Sequence, residues 1–240
     1  MYREATAIPV LAGTLGSWHL TLSRQPLPRN GLSQAYDQQA AGWQETLDRL
    51  DYAPAYTHLM RAALGPSDAA PKGPTTQVLD AGIGTAAMSL ALRQHWGHRF
   101  CLTGVDLSPS MLSTAARCLQ GRDIESRLEV ADITALPCAD ASMDMVLAAH
   151  VFEHLPDPLA GMAECLRVLK PGGRLICALT RRSLLGALIQ LRWRTHSARP
   201  PTVLRWLGEA GFSAARALPF APGTPAARRS IGYTAIKPDS

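Results

Sequence analysis

A glycine turn after the first strongly apolar segment could bind a polar or anionic ligand. The segment reads Val-Leu-Asp-Ala-Gly-Ile-Gly over Val78–Gly84, with a helical pattern behind it. Glycine permits a tight turn and a close approach of a ligand, and a helix N-terminus offers free N–H groups and a positive dipole end. A carboxylate or phosphate would be stabilised there. The Gly-x-Gly-x-x-Ala spacing also fits a dinucleotide-binding turn.

Three aspartates stand at or near the carboxyl ends of the first three predicted strands. Asp106 ends the second strand, where a carboxylate can accept both hydrogen bonds of a ribose diol. Asp80 precedes the glycines, where a carboxylate suits an ammonium group better than a pyrophosphate. Asp132 follows the third strand, within reach of an adenine amino group. The set favours an adenosine ligand that carries an amino group, and a nicotinamide dinucleotide stays an alternative.

Two histidines and a glutamate follow the fourth predicted strand and are candidates for acid–base chemistry. His150 and His154 are spaced i, i+4, so they would share a face if the segment is helical. We expect His154 to be the base if the reaction needs one, with His150 as the second candidate. Only Glu153 lies near them, so we expect no metal ion.

The hydropathy pattern predicts an α/β fold with strands and helices in alternation. Strands are expected at 77–81, 101–105, 127–130, 143–149, 174–179, 213–218 and 231–237. Helices are expected at 34–50 (capped by Ser33), 54–64, 85–96, 109–120, 159–169 (ended by Lys170–Gly173) and 202–211. Continuous apolar strands between helices indicate a parallel sheet covered on both faces. The last two strands are joined by a Pro/Gly-rich loop without a helical signal and should be antiparallel.

Composition limits the class of protein. The chain has 240 residues, of which 47% are hydrophobic and 18% charged, enough to bury a core without disulfides. No apolar run reaches the ~18 residues of a membrane span. Ala7–Leu15 resembles a signal-peptide core, but Pro9 and Gly13 interrupt it and Glu4 precedes it, so we expect no secretory signal. The five cysteines include no Cys-x-x-Cys pair, which indicates free thiols and a cytoplasmic location.

Positive charge is concentrated in the C-terminal third of the chain. Residues 167–240 hold thirteen lysines and arginines against two acids, within a net charge of +5. The segment 181–199 combines an amphipathic stretch, Ser183–Trp193, with arginines that could meet an anionic group. A solvated basic face and an anionic membrane surface are alternatives. Trp193 alone gives little support for RNA binding, so we do not expect a nucleic-acid partner.

Five segments together resemble the class I S-adenosylmethionine-dependent methyltransferases, in the group that includes ubiquinone, menaquinone and other small-molecule methyltransferases. They occur in the family's order and spacing: Val78–Gly84, Gly104–Leu112, Ala131–Pro137, Met143–Leu155 and Leu166–Leu175. The resemblance covers about residues 33–237. It implies a Rossmann-like, doubly wound, mostly parallel seven-stranded sheet with an antiparallel C-terminal hairpin and a helical N-terminal lid. It also implies S-adenosyl-L-methionine as methyl donor and S-adenosyl-L-homocysteine as product.

The same resemblance implies roles for individual residues. The cofactor-binding set is Asp80, Gly82, Gly84, Asp106, Leu107, Asp132, Ile133, Ala149 and His150. In similar enzymes a Tyr-Asp pair on an N-terminal helix covers the cofactor, a place taken here by Tyr36-Asp37, and Tyr36 is a second catalytic candidate. Candidates for binding the acceptor are Trp43, where the family often has tyrosine, and Glu153, Arg181, Arg192, Arg194 and His196.

These observations divide the chain and suggest its function. We expect an N-terminal extension at 1–32, a helical lid at 33–66, and a cofactor-binding domain at 77–240 with an acceptor lid at 181–201. The favoured hypothesis is transfer of a methyl group to a small-molecule acceptor, either apolar or anionic, by in-line displacement. The alternatives are methylation of a lipid or quinone at a membrane surface, an NAD(P)-dependent oxidoreductase, and a cofactor-binding protein without turnover.

Overall fold

The structure, a computed structural model, describes residues 8–24, 31, 37, 42, 45–66, 76–97, 100–122, 124–181 and 198–239. Several predictions from the sequence therefore fall outside the described residues. They are the cap Ser33, the amphipathic stretch Ser183–Trp193, and the site candidates Tyr36, Trp43, Arg192, Arg194 and His196.

The strands and helices of the described ranges follow the predicted alternation. The strands are β1 (Ile8–Leu15), β2 (Trp18–Arg24), β3 (Thr76–Ala81), β4 (Phe100–Asp106), β5 (Glu125–Val130), β6 (Met143–Ala149), β7 (Leu169–Thr180), β8 (Ser213–Leu218) and β9 (Ser230–Ile236). The helices are α1 (Tyr52–Leu64), α2 (Ala87–Trp96), α3 (Pro109–Leu119), α4 (Pro158–Val168), α5 (Pro200–Glu209) and α6 (Pro225–Arg229), with a 3₁₀ turn at Phe152–His154. In the predicted lid, helical residues 45–49 precede α1, which packs against α2.

The seven-stranded main sheet has the order β5-β4-β3-β6-β7-β9-β8. The strands from β5 to β7 in this order pair in parallel, and β9 pairs antiparallel with both β7 and β8. This confirms the predicted doubly wound α/β fold with an antiparallel C-terminal hairpin. The order of strands reverses between β3 and β6, which is the position where such sheets open a crevice at their carboxyl ends.

Two apolar layers hold the sheet, one on each face. Alternate residues of one strand point to opposite layers: Val78 of β3 packs with α1, α2 and α3, while Leu79 packs with α4 and α5. Both residues are fully buried, as expected for a strand covered on both sides.

Side-chain caps set the start of two helices beside the crevice. Ser108 Oγ accepts a hydrogen bond from the Met111 N–H at the start of α3, and Asp157 accepts one from the Leu159 N–H at the start of α4. A proline follows each cap in the first turn of the helix, where the N–H group that proline lacks would have no partner within the helix. Both helices therefore start at a defined residue next to the strand ends.

The predicted start of the fifth strand at Arg174 is wrong, although α4 ends at Val168, one residue before its predicted end. The segment Lys170–Gly173 was expected to end the helix before the fifth strand, but it lies inside β7, which begins at Leu169. Gly172 N–H donates to the Lys237 carbonyl at 3.0 Å, and Lys237 N–H donates to the Gly173 carbonyl at 2.9 Å. Backbone pairing to the segment after β9 therefore holds these residues in an irregular extension of the strand.

Two elements were missed by the sequence analysis. The loop before the last strand contains the short helix α6, whose first turn is capped by Thr224 Oγ1 accepting from the Ala227 N–H at 3.2 Å. The weakly patterned N-terminal extension contains β1 and β2, which pair as an antiparallel hairpin around Gly16. The sequence of β2 does alternate, with Trp18, Leu20 and Leu22 between polar residues, but Trp18 and Leu20 are about three-quarters exposed rather than packed on the core.

The packing of α4 on the sheet predicts a measurable cost of truncation. Met162 is fully buried between α4 and the sheet, so Met162→Ala should lower the free energy of unfolding by about 2–5 kcal/mol. The measurement is urea denaturation followed by circular dichroism. The exposed Ala163→Ser on the same helix is the control and should change stability by less than about 0.5 kcal/mol. Equal effects of the two substitutions would contradict this packing.

Candidate functional site

A cleft opens at the carboxyl ends of β3, β4 and β6, where the strand order reverses. Its walls are mostly apolar, with a few polar side chains, as is usual for small-molecule sites. The described lining residues are Leu47, Tyr56, Asp80, Gly82, Ile83, Gly84, Thr85, Ala87, Met88, Asp106, Leu107, Met111, Ala131, Ile133, Ala149, His150, Val151, His154 and Leu155. Eight of the nine residues that resemblance assigned to the cofactor lie among them; Asp132 does not.

The glycine turn forms one wall of the cleft. Gly82 and Ile83 donate their N–H groups to the Val105 carbonyl at 2.8 and 2.9 Å, which fastens the turn to β4. A Cβ on Gly82, whose φ is +77°, would lie 2.3 Å from Val151 Cγ2. By contrast, apart from the chain neighbours of Gly84, no atom of the described residues lies within 4 Å of its Cβ position. The backbone at Gly84 therefore faces open space that a ligand can approach.

Asp106 is held by backbone donors on both oxygens. Gly84 N–H donates to Oδ2 and Ser108 N–H donates to Oδ1, each at 2.9 Å. Burial raises the pKa of this carboxyl and the nearby Asp37 raises it further, while backbone hydrogen bonds oppose them. Each oxygen of a carboxylate has a second lone pair, so a carboxylate fixed in this way can still accept hydrogen bonds from two hydroxyl groups.

Asp80 is a buried carboxyl without a described cationic partner at the base of the cleft. Its exposure is 1%, and Ser89 Oγ donates to its Oδ2 at 2.5 Å. Burial, with the charge of Asp106 adding to it, raises the pKa of Asp80 to about 7. Because a buried carboxylate is costly without a positive charge beside it, this position would favour a ligand that brings an ammonium group.

Asp37 connects the N-terminal segment to the start of α3, close to Asp106. Its Oδ1 accepts a hydrogen bond from Ser108 Oγ at 2.5 Å, and this bond lowers the pKa of Asp37. Ser108 therefore caps α3, fixes Asp106 through its N–H and binds Asp37. The sequence analysis placed Asp37 in the lid but missed Ser108, although a serine directly before a proline at a helix start is a signal for a cap.

The structure assigns Asp132 to a turn. Its Oδ1 accepts hydrogen bonds from the N–H and the hydroxyl of Thr134, at 2.8 and 2.7 Å. The neighbours of Asp132, Ala131 and Ile133, line the cleft instead, together with Leu107 from the end of β4. The expected adenine side of the cleft is therefore built from apolar side chains and backbone.

His150 and Glu153 form a polar cluster at the other end of the cleft. His150 Nδ1 lies 3.0 Å from Glu153 Oε1, and the Thr180 N–H and hydroxyl donate to the same oxygen at 3.0 and 2.8 Å. Burial alone would raise the pKa of Glu153, but the neighbouring His150, together with His154 and Thr180, lowers it. Glu153 itself is buried and is not among the residues that line the cleft.

The predicted helical face of the two histidines is not formed. The helical segment is only the 3₁₀ turn Phe152–His154, and His150 precedes it with a left-handed φ of +56°. Both imidazoles still line the cleft. Within the described ranges, no group of three or more histidine, cysteine or acidic side chains is arranged to hold a metal ion.

The remaining described acceptor candidate, Arg181, lies outside the cleft. Its side chain is exposed and donates to the Ala227 carbonyl in the middle of α6, at 3.0 Å. Among the described residues, no helix combines the length and the hydropathy needed to cross a bilayer.

Comparison with known proteins agrees with this geometry. Residues 79–177 match the sequence profile of the family described as "Methyltransferase domain". The chain is 37% identical over 123 residues to the 2-methyl-6-phytyl-1,4-hydroquinone methyltransferase of Synechocystis sp., covering 51% of this chain and 37% of that protein. It is 34% identical over 143 residues to the demethylmenaquinone methyltransferase of Thermus thermophilus, covering 60% of this chain and 64% of the relative. The chain thus spans less than two thirds of either relative.

A solved structure shows the same fold. The phosphoethanolamine N-methyltransferase 2 of Haemonchus contortus, in complex with S-adenosyl-L-methionine, superposes with a TM-score of 0.68 at 15% identity, covering 92% of this chain and 62% of that one. At this identity the likeness concerns the fold alone. The glycine turn and Asp106 lie inside the matched profile, and the sheet has the seven strands and the antiparallel C-terminal hairpin that the resemblance implied. Over residues 79–177 the chain is therefore similar to the methyltransferase family, and both relatives named above are methyltransferases.

Proposed function

We propose that this protein transfers the methyl group of S-adenosyl-L-methionine to a small-molecule acceptor. The observation that supports it most is the pair of carboxyls, Asp80 and Asp106, on either side of the open backbone at Gly84. A pyrophosphate would meet two carboxylates there. A ligand with both an ammonium group and a ribose diol would instead find a partner for each.

The described residues fit this cofactor. Asp106 would accept the ribose hydroxyls, and Asp80 would lie near the amino group of the methionine part. Leu107 and Ile133 would enclose the adenine, with Ala149 and His150 at the methionine end. Asp37, bound to Ser108, would bring the N-terminal segment over the ribose.

Because the methyl group of the cofactor is already reactive, the main task of the protein is to position the acceptor. When bound, it supplies a methyl group on a positively charged sulfonium, which is already electrophilic. The apolar walls, among them Met88, Met111 and Val151, would exclude water and orient the acceptor. Correct orientation can supply about 7–11 kcal/mol of the barrier reduction.

The residues that line the cleft indicate which acceptor and which of the alternative functions are favoured. No lysine or arginine lines the cleft among the described residues, which favours an apolar acceptor over an anionic one. A quinone or lipid at a membrane surface is one such acceptor, and both relatives named above are named for methylating hydroquinone or menaquinone compounds. Asp80 disfavours an NAD(P)-dependent oxidoreductase, because its carboxylate would lie beside the pyrophosphate of the dinucleotide. We also propose a cytoplasmic location.

Cofactor binding tests this function directly. Titration calorimetry should show binding of S-adenosyl-L-methionine and S-adenosyl-L-homocysteine but not of NADH or NADPH. Asp106→Ala should weaken binding of both adenosyl ligands by about 1.5–3 kcal/mol per charged hydrogen bond lost. The exposed Asp239→Ala is the control and should leave the Kd unchanged. Transfer of a labelled methyl group into cell extract by the native chain separates an enzyme from a sensor, and binding of NADH alone would contradict the proposal.

The ionisation of Asp80 predicts a pH dependence of cofactor affinity. Without ligand the pKa of Asp80 is about 7, so below pH 7 the carboxyl is neutral and must lose its proton before it can pair with an ammonium group. Affinity measured by calorimetry should therefore fall as the pH drops from 7.5 to 5.5, approaching about tenfold per pH unit. Asp80→Asn should bind more weakly and lose most of this dependence. An unchanged pH profile in Asp80→Asn would mean that another group is responsible.

A further inference from the structure

The β1–β2 hairpin has one face on which apolar residues are concentrated. Residues that pair directly in an antiparallel ladder belong to the same face of the sheet. The positions on one face are apolar or glycine and pair as Trp18–Leu15, Leu20–Gly13 and Leu22–Leu11. The positions on the other face are smaller or polar and pair as Thr14–His19 and Ala12–Thr21. We call the first set of positions the hairpin face.

Two large side chains of the hairpin face are exposed to solvent. Trp18 is 76% exposed, and Leu20, two residues further along the same strand, is 75% exposed. Among the described residues, Val130 is the one other large hydrophobic side chain that is more than half exposed. Neighbouring exposed apolar groups mark an interaction surface, whereas scattered ones do not.

The hairpin is separate from the core and from the cleft. Trp18 and Leu20 belong to neither of the apolar layers that hold the main sheet, and each hairpin strand packs mainly on the other among the described elements. A two-stranded hairpin alone is only marginally stable in water, so a partner that covers the hairpin face would stabilise it. Methyl transfer gives the hairpin no role, because it lies outside the matched residues 79–177 and outside the described lining of the cleft.

The charge of the surrounding sequence indicates which kind of surface would cover the hairpin face. No acidic residue occurs between Glu4 and Asp37, whereas Arg24 ends β2 and Arg29 follows it. Positive charge beside an exposed apolar face is typical of protein segments that lie on an anionic bilayer. Tryptophan suits this position because its ring is apolar, while its N–H group can stay hydrogen-bonded among the lipid headgroups.

A second copy of the chain fits the hairpin face less well. The seven residues of β2 and the paired strand span roughly 24 Å by 10 Å. This is far less than the ~800 Å² that each partner buries in a stable dimer. Two copies would also bring together two acid-free segments that both carry arginine. A bilayer requires no such minimum area, because every inserted side chain contributes by itself.

We propose that the hairpin face is a membrane-docking surface, which inserts Trp18 and Leu20 into the interface of a bilayer that contains anionic lipid. Insertion removes two exposed apolar side chains from water. The positive charge of the segment adds an attraction to the lipid headgroups that salt screens. This docking is independent of the methyl transfer proposed above.

Vesicle sedimentation of the full chain measures the docking. The chain should bind vesicles of phosphatidylcholine mixed with phosphatidylglycerol, and it should bind vesicles of phosphatidylcholine alone more weakly. Added salt should weaken binding to the mixed vesicles down to the level of the neutral ones, because salt screens charge but leaves apolar insertion intact. Arg24→Gln should weaken binding to the mixed vesicles by about fivefold and leave binding to the neutral vesicles unchanged.

Serine substitutions test the two inserted side chains. Trp18→Ser and Leu20→Ser should each lower the partition coefficient for the mixed vesicles by about tenfold, because each removes an apolar group that the bilayer would bury. His19→Ser is the matched control, since His19 is exposed on the same strand but belongs to the opposite face, and it should leave the partition coefficient unchanged. Circular dichroism and calorimetry with S-adenosyl-L-homocysteine should be the same for all variants.

Fluorescence shows whether Trp18 itself enters the bilayer. Vesicles with brominated acyl chains quench tryptophans that insert into them. The chain has five tryptophans, so the contribution of Trp18 is the difference between the native chain and Trp18→Phe. Phenylalanine keeps an apolar ring, so this variant should still bind the vesicles but lose the quenching. Equal quenching of the two chains would contradict insertion of Trp18.

Three further results would overturn the proposal. The first is a native chain that binds neither kind of vesicle; if it still binds S-adenosyl-L-homocysteine, only the docking is removed and methyl transfer stands. The second is equal vesicle binding by the native chain and both serine variants, which would place the contact elsewhere on the molecule. The third comes from sedimentation velocity without lipid: a native dimer that Trp18→Ser converts to a monomer would assign the hairpin face to a second copy.

Discussion

The site depends on two carboxyls that are buried close together at the tips of adjacent strands. In addition to the cost of burial, the charge of Asp106 raises the cost of ionising Asp80, and the charge of Asp37 raises the cost of ionising Asp106. Backbone N–H groups of Gly84 and Ser108 hold Asp106, whereas Asp80 has Ser89 as its described hydrogen-bond partner. This arrangement is costly for the empty protein and favourable for a ligand that brings a positive charge and two hydroxyl groups. We regard this electrostatic constraint as the basis of the specificity of the cleft.

The fold brings that pair together and separates it from the second polar cluster. Adjacent parallel strands β3 and β4 bring Asp80 and Asp106 to one edge, and the reversal of strand order next to β3 opens the space in front of them. His150 follows β6 on the other side of the reversal, with Thr180 at the end of the neighbouring β7. One end of the cleft therefore suits a charged adenosyl ligand, and the other combines apolar walls with an oriented imidazole.

The sequence predicted the sheet better than it predicted the site. Mostly apolar segments located the inner strands such as β6, because a strand buried on both faces is apolar along most of its length, whereas the edge strands β5 and β8, which were also predicted, carry exposed charged residues. It failed at Lys170–Gly173, where a long-range contact decides the outcome, since the segment joins a strand by pairing with Lys237. Asp132 is engaged locally, by Thr134 two residues further along the chain. Local spacing also suggested a helical face for His150 and His154. The left-handed turn at His150 removed that face and placed Glu153 behind the ring.

A crystal structure of the chain with S-adenosyl-L-homocysteine would test the central claim most directly. We expect ordered ligand density in the cleft, with the ribose hydroxyls within hydrogen-bond distance of Asp106 and the ligand amino group beside Asp80. An empty cleft at saturating ligand, or a ligand whose ribose contacts neither oxygen of Asp106, would contradict the account.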